Sequence, residues 1–263
     1  MDQVHVPAQR AARPAPRGGW RRTMRAFLPP QHGAWAMLVV PYLVGGLLAG
    51  WSWVSAPLLV AWIAGYLLSY YAFQAVKTRR PGRWRAQLTL YGAITVPLVT
   101  LVVAARPAVL WYAPAYALLL LVNAGYAARR QERALLNDLA SVLLSCLMVG
   151  VAATVAGMDP LAPTWPIVGA FLACTGYFAG TAFYVKTMIR ERGERRWRWW
   201  SVGYHAGALA GAVWLGPTLA VLFTWFLIRA WWLPRKALVP KQVGMIEIGN
   251  SLLLVLAILL TWG

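Results

Sequence analysis

Acidic residues are scarce in this chain. Its 263 residues include 7 Asp and Glu against 25 Lys and Arg, and charged residues make up 12% of the total. Soluble domains carry about 25% charged residues, whereas 60% of the residues here are hydrophobic. One aqueous core cannot hide so many apolar side chains, so lipid is expected to cover part of them. The composition excludes an ordinary soluble domain and predicts a membrane protein.

Cysteine is also rare, and its positions argue against disulfide and metal sites. Cys146 and Cys174 both fall inside apolar runs, and the chain has no CxxC or Cys/His pairing. Thiols in such surroundings behave as small hydrophobic side chains. We therefore expect neither a disulfide nor a metal site.

The net charge of +18 raises the question of a nucleic-acid partner. The arginines stand between apolar segments, and no RNA-binding or helix-turn-helix pattern accompanies them. Basic residues beside apolar segments are typical of membrane topology signals. We expect the lipid bilayer, and not nucleic acid, to be the partner of this charge.

Two regions follow from the composition. Residues 1–27 are rich in Arg, Ala and Pro and have no apolar core, so they are not a signal peptide. We expect them to form a basic, disordered cytoplasmic tail that rests on anionic lipid. Residues 28–263 are expected to form a single transmembrane domain.

Nine apolar runs approach the roughly 20 residues that a helix needs to cross a bilayer. Their length, without period-two alternation, indicates helices, which pair their own backbone groups. The fold class expected is all-α, a polytopic membrane helix bundle of about nine transmembrane helices. The runs are 33–50, 57–75, 87–104, 108–127, 138–156, 165–185, 199–215, 217–233 and 244–262.

The basic residues alternate between the two sides of these runs. Every Lys and Arg except Arg106 falls in the tail, in the connections after the second, fourth, sixth and eighth runs, or, for Arg229, at the end of the eighth run. The positive-inside rule then places the N-terminus in the cytoplasm and the C-terminus outside. We expect a multi-pass protein of the bacterial plasma (inner) membrane.

A repeated motif marks two of the basic helix ends. Val76-Lys77-Thr78 and Val185-Lys186-Thr187 each precede an arginine cluster. Gln74 lies three residues before Lys77, and Arg190 four residues after Lys186, so each pair shares a helix face. Such cations either extend to headgroups or hold a phosphate. The repetition favours a shared site.

Other polar groups stand at or inside the spans, where ionisable residues are costly and indicate function. Each also has a structural alternative: a helix cap, an interhelical hydrogen bond or an ion pair with Lys77, Lys186 or Arg229. We treat four as candidates for proton transfer or orientation, namely His32, Asp138, His205 and Glu247. Candidate ligand-binding residues are Gln31, Gln74, Lys77, Arg129, Arg130, Asn137, Lys186, Arg190 and Asn250.

Three stretches resemble the YwiC-like family of bacterial integral membrane proteins. They are Pro-Pro-Gln-His-Gly-Ala-Trp-Ala-Met at 29–37, Leu-Leu-Asn-Asp-Leu-Ala at 135–140 and Val-Lys-Thr-Met-Ile-Arg-Glu-Arg at 185–192. The resemblance extends from residue 29 to the C-terminus. It implies a membrane protein and assigns no chemistry.

A more distant resemblance is to the UbiA superfamily of intramembrane prenyltransferases. That resemblance implies nine helices, an inner N-terminus and a diphosphate site at the ends of helices two and six. Tyr126-Ala127-Ala128-Arg129-Arg130 also resembles the segment after that superfamily's fourth helix. Its Mg²⁺-binding aspartates, however, are replaced here by Gln74, Lys77, Lys186 and Arg190. Cations cannot hold Mg²⁺, so no cofactor is assigned.

These patterns support one function and leave two alternatives. The first is a UbiA-like protein with a cytoplasm-facing cationic cavity that binds or transfers an isoprenoid or phospholipid phosphate. The second is a transporter of a small anion or acid, which the scarcity of polar residues in the outer half disfavours. The third is a non-catalytic membrane assembly factor.

Overall fold

A computed structural model describes residues 27–29, 34–236 and 238–263. The chain divides into two compact units, Met1–Pro30 and Gln31–Gly263. The predicted basic tail lies in the first unit and almost entirely outside the described residues. All the helices named below belong to the second unit.

The described part of the second unit is helical, with no strand among its residues. This confirms the all-α fold class. It contains nine helical segments, each of which overlaps one of the nine apolar runs. They are α1 (Ala34–Ala49), α2 (Ser55–Thr78), α3 (Arg85–Ala105), α4 (Ala113–Ala128), α5 (Leu135–Ala156, with a break at Leu147), α6 (Trp165–Val185), α7 (Arg195–Leu215), α8 (Pro217–Trp232) and α9 (Pro240–Trp262).

Six of the segments are long and apolar enough to cross a membrane, which supports a multi-pass membrane protein. Three of them, α2, α5 and α9, reach this length alone. Helices α3 and α4 reach it with the short 3₁₀ turns that precede them, and α6 with the turn that follows it. Helices α1 and α8 have 16 residues each, and α7 begins with an arginine-rich turn. The count of nine transmembrane spans and the orientation stay predictions.

Proline and glycine set several helix boundaries. Proline occupies the first turn of α4, α6, α8 and α9, where its missing N–H is no loss. Gly216 alone separates α7 from α8, with a φ of 146° that favours glycine. A one-residue connection forces these two helices to run antiparallel as a tight hairpin.

Helices α5 and α6 form the centre of the bundle. In each, 61% of the residues in its apolar 18-residue stretch are buried, compared with 11% for α3 and 6% for α4. The main hydrophobic cluster joins α1, α5 and α6 to α7, α8 and α9. Helices α2, α3 and α4 pack at the periphery, and α3 and α4 are mostly exposed.

Contacts between connections gather the basic loops at one end of the bundle. Lys77 at the end of α2 contacts Glu132 in the α4–α5 connection. Lys186 at the end of α6 contacts the same connection. Arg192, in the α6–α7 connection, donates to the backbone carbonyl of Lys236 after α8. We call this the basic end. At the opposite end, Arg106 donates to the Val155 carbonyl.

Helices α1 and α5 approach closely at Gly45. A Cβ atom added at Gly45 would lie 2.3 Å from the carbonyl oxygen of Val149 and 3.0 Å from the Cβ of Ala152. Small residues at such crossings let membrane helices pack backbone to backbone. Gly45 is therefore required by packing.

We predict that Gly45→Ala destabilises the bundle by about 1–3 kcal/mol, because the added methyl group meets backbone that cannot move aside. The measurement is the midpoint of thermal aggregation of purified protein in detergent. Gly207→Ala is the matched control, since a Cβ at Gly207 meets nothing within 4 Å. Equal midpoints for the two variants would contradict the assigned crossing.

Candidate functional site

The first repeated lysine makes an ion pair near the surface. Lys77 Nζ lies 2.7 Å from Glu132 Oε1, and the two side chains are 36% and 32% exposed. Partial burial raises the pKa of Glu132, but the hydrogen bond from Lys77 and nearby positive charge outweigh it, so the net direction is downward. Glu132 is thus held ionised as the partner of Lys77.

The second repeated lysine is buried. Lys186 is 4% exposed, its Nζ lies 3.0 Å from Asp138 Oδ2, and it also donates to the carbonyl oxygen of Arg133. It stands 5.8 Å from the ring centre of Trp197. A buried ammonium is tolerated only with such partners. Lys186 therefore points into the protein and not outward to headgroups.

A π-helical turn at the end of α6 places Arg190 beside the same carboxylate. The turn spans Lys186–Arg190, and the N–H of Glu191 closes it on the carbonyl of Lys186. Arg190 Nη1 lies 3.4 Å from Asp138 Oδ2, and its side chain is 39% exposed. π-helical turns are frequent at functional sites. Asp138 thus receives one buried and one exposed cation.

Both matched lysines therefore reach one connection, residues 129–134 with the start of α5. Asn137 supports the connection by donating to the Glu132 carbonyl. Arg129 and Arg130 are exposed on it, and Arg130 has a φ of 57°. The sequence predicted that these residues come together, but the lysines are paired with carboxylates and do not line an open cationic cavity among the described residues.

A separate polar cluster lies inside the bundle, between α6, α7, α8 and α9. Arg229 is 0% exposed, and its Nη1 donates to both carboxylate oxygens of Glu247 at 2.6 and 2.7 Å. The Arg229 guanidinium carbon also lies 4.4 Å from the ring centre of Tyr184. A charge in so dry a place requires its counter-charge. This pair is the electrostatic centre of the bundle.

Other donors saturate the Glu247 carboxylate. Thr181 and Tyr177 donate to Oε2 at 2.9 and 3.2 Å, and Asn250 lies 3.4 Å from Oε1. Trp225 in turn donates to the Asn250 side chain at 3.0 Å. Four donors around one carboxylate satisfy its oxygens and fix its position in the cluster.

His205 completes the cluster in a fixed tautomer. Its Nδ1 lies 2.7 Å from the carbonyl of Ser201, which can only accept, so Nδ1 carries the proton. Its Nε2 then accepts from Arg229 Nη2 at 3.4 Å. His205 is 3% exposed. It acts here as a neutral hydrogen-bonding partner of Arg229.

The remaining predicted residues, Gln74, Gln31 and His32, are not shown to belong to either cluster. Gln74 is half-buried, and its backbone carbonyl accepts from Thr78. Gln31 and His32 lie outside the described residues. Among the described residues, no group of three His, Cys, Asp or Glu side chains lies close enough to hold a metal ion.

Sequence reasoning gave Arg229 only as one of three partners for Glu247 and missed Tyr177, Thr181 and Tyr184. In sequence, Arg229 resembles the cations of the loops because it lies near the end of its apolar run. Tyr177 and Tyr184 look like ordinary apolar-face residues in sequence. The one available signal was the single carboxylate of the last run, which requires a cation from a neighbouring helix.

A surface pocket of about 210 Å³ opens at the basic end. It lies on the α7 side of the π-helical turn, whereas Lys186 and Arg190 face α5. Its lining residues are Thr187, Gly193, Glu194, Arg195, Arg198 and Pro234.

We predict that Arg229→Met destabilises the bundle by about 3–5 kcal/mol, because it leaves the Glu247 carboxylate buried and unpaired. Replacing both residues, Arg229→Met with Glu247→Leu, should recover most of that loss. The measurement is thermal stability of purified protein in one detergent. Lys77→Met, which breaks the exposed pair with Glu132, is the control and should cost about 1 kcal/mol or less. If the double variant is less stable than Arg229→Met, the pair is not mainly structural.

Comparison with known proteins finds one family and two bacterial relatives that match this chain. The family described as YwiC-like protein matches residues 28–153. The uncharacterized protein YwiC of Bacillus subtilis (strain 168) is 36% identical over 234 residues, which cover 87% of this chain and 95% of that protein. An uncharacterized protein of Haemophilus influenzae (strain ATCC 51907 / DSM 11121 / KW20 / Rd) is 32% identical over 230 residues, or 85% and 93%.

No solved structure matches the chain. The resemblance to the UbiA superfamily stays a prediction. The resemblance carried by residues 29–37, 135–140 and 185–192 is confirmed, because the matches to both bacterial relatives extend over most of each protein. The chain belongs to the YwiC-like protein family.

Proposed function

We propose that this integral membrane protein binds a phosphate-bearing lipid, an isoprenoid phosphate or a phospholipid phosphate, at the basic end of its bundle. The observation that carries the proposal is the meeting of Lys77 and Lys186 at one connection, reached from two different helices. Contact with headgroups alone would not require matched lysines on separate helices to approach the same loop.

The charge around this connection supports the proposal. Two carboxylates, Glu132 and Asp138, face a larger number of cations. The cations are Lys77, Arg129, Arg130, Arg133, Lys186 and Arg190. The excess positive charge is suited to an oxyanion with several acceptor oxygens.

Arg190 is the cation best placed to accept a new anion. Its contact with Asp138 is long, at 3.4 Å through one nitrogen, and its side chain is 39% exposed. The rest of the guanidinium fork has no other partner among the described residues and can make a bidentate contact with phosphate. Asp138 would keep Lys186 neutralised while Arg190 turns to the ligand.

Transfer chemistry of the UbiA type would require Mg²⁺ held by carboxylates. The described residues do not fit that requirement, since the helix ends carry Lys77 and Lys186 in place of acids and no trio of metal ligands is present among them. The proposal is therefore limited to binding, and no catalytic step is assigned to His205, Asp138 or Glu247.

The buried Arg229–Glu247 pair is the observation that favours the alternative, a transporter of a small anion or acid. Such a protein would use an intramembrane charge as its central site. Glu247, however, is already saturated by protein donors. We therefore rank the transporter second, and flux in proteoliposomes would distinguish it.

We predict that the protein in nanodiscs retains farnesyl diphosphate or phosphatidic acid more strongly than phosphatidylcholine. In native mass spectrometry, Lys77→Ala with Arg190→Ala should reduce this binding about tenfold or more, since each charge-assisted contact contributes about 1.5–3 kcal/mol. Lys236→Ala with Lys241→Ala is the matched control, because it removes two exposed lysines from the same end. It should change binding less than twofold.

Thermal stability of each variant shows whether it is folded before binding is compared. The proposal fails if the wild-type protein does not distinguish phosphate-bearing lipids from phosphatidylcholine. It also fails if the folded Lys77/Arg190 variant binds as the wild type does. Alanine variants that leave both binding and flux unchanged would favour an assembly factor.

A further inference from the structure

The pocket on the α7 side of the π-helical turn has two arginines without counter-charges. Arg195 and Arg198 line it, and neither guanidinium has an ion-pair or hydrogen-bond partner among the described residues. Arg198 is half-buried, so its charge is partly withdrawn from water. Burial without a partner is costly for a cation, which makes the pocket a place where an anion gains free energy.

The contrast with four other cations of the bundle is what singles out this pocket. Lys77, Lys186, Arg190 and Arg229 each have a carboxylate within 3.4 Å. Each of them therefore has a counter-charge within the protein. Arg198 is half-buried, yet no carboxylate among the described residues is paired with it.

An unsatisfied hydroxyl lies on the same helix face as the two arginines. Arg195, Arg198 and Ser201 are spaced by three residues and share one face of α7. Ser201 is 0% exposed, and its hydroxyl has no partner among the described residues. Thr187 lines the pocket itself, and its hydroxyl is fixed by hydrogen bonds to the backbone carbonyls of Phe183 and Trp197. The two arginines are therefore the donors of the pocket, and Thr187 gives it a fixed wall.

One lining residue opposes an anion. Glu194 lies at the start of α7 and is exposed, so its carboxylate can turn towards water. The pocket volume of about 210 Å³ holds several waters at roughly 30 Å³ each. It therefore has room for one phosphoryl group that keeps part of its hydration.

We propose that this pocket is a binding site for a single phosphoryl group, of a lipid headgroup or a soluble phosphate, held by Arg195 and Arg198. It is separate from the Lys77 and Lys186 ion pairs, because none of the residues in those pairs lines it. The proposal therefore stands or falls independently of the lysine-based lipid site.

The test uses the full chain in nanodiscs and two probes. Inorganic phosphate, followed by ³¹P nuclear magnetic resonance, reports on a soluble phosphate, and phosphatidic acid, followed by native mass spectrometry, reports on a headgroup. Arg195→Gln with Arg198→Gln should weaken binding of the recognised probe about tenfold or more. Glu194→Gln should strengthen it, because a repelling carboxylate is removed.

Arg196→Gln is the matched control. Arg196 is in the same helical turn but does not line the pocket, and its guanidinium stacks on Trp200. Binding of phosphatidic acid alone identifies a headgroup, and binding of inorganic phosphate alone identifies a soluble ligand; either result supports the site. The proposal is overturned if neither probe binds, or if the Arg195/Arg198 variant, folded by its thermal midpoint, binds as the Arg196 variant does.

Discussion

The bundle depends on one ion pair in a dry interior, Arg229 with Glu247. Each charge would be prohibitively costly there without the other, so α8 and α9 must stay in register. Tyr177 and Thr181 extend the constraint to α6, and His205 extends it to α7. Four helices that would otherwise slide along apolar surfaces are thereby fixed at one depth. Hydrophobic contact brings these helices together, and the polar cluster specifies how they are aligned.

The same principle separates the two faces of the π-helical turn at Lys186–Arg190. On the α5 side, Asp138 neutralises Lys186, and the lysine secures the 129–134 connection. On the α7 side, Arg198 has no such partner in the part of the chain that the structure describes. The two sides of the turn therefore differ, since Lys186 is used for structure and Arg198 is proposed to hold a ligand. A net charge of +18 does not distinguish these uses, but the positions of the carboxylates do.

The helices could be predicted from sequence because apolar run length and proline positions are local properties. The predicted run at 165–185 agrees with α6 at both ends, whereas α7 begins at Arg195, four residues before its run. The pairing of Lys77 with Glu132 and of Lys186 with Asp138 could not be predicted, because it depends on how helices pack. The same applies to Tyr177 and Tyr184, which carry no periodic signal. Position along the chain placed Arg229 near a loop, but its burial is a tertiary property.

The one-residue link at Gly216 has a consequence for how the protein is made. Helix α7 is not apolar enough to qualify as a membrane span by itself, and the link leaves it no freedom to stay apart from α8. The two therefore behave as one antiparallel unit, and Arg229 lies in the last turn of its second helix. A charge within a membrane helix costs at most about 2.5–3.5 kcal/mol, at the helix centre, by the translocon scale. The partner carboxylate, Glu247, is synthesised 18 residues after Arg229, so the arginine has no such partner until α9 packs against α8.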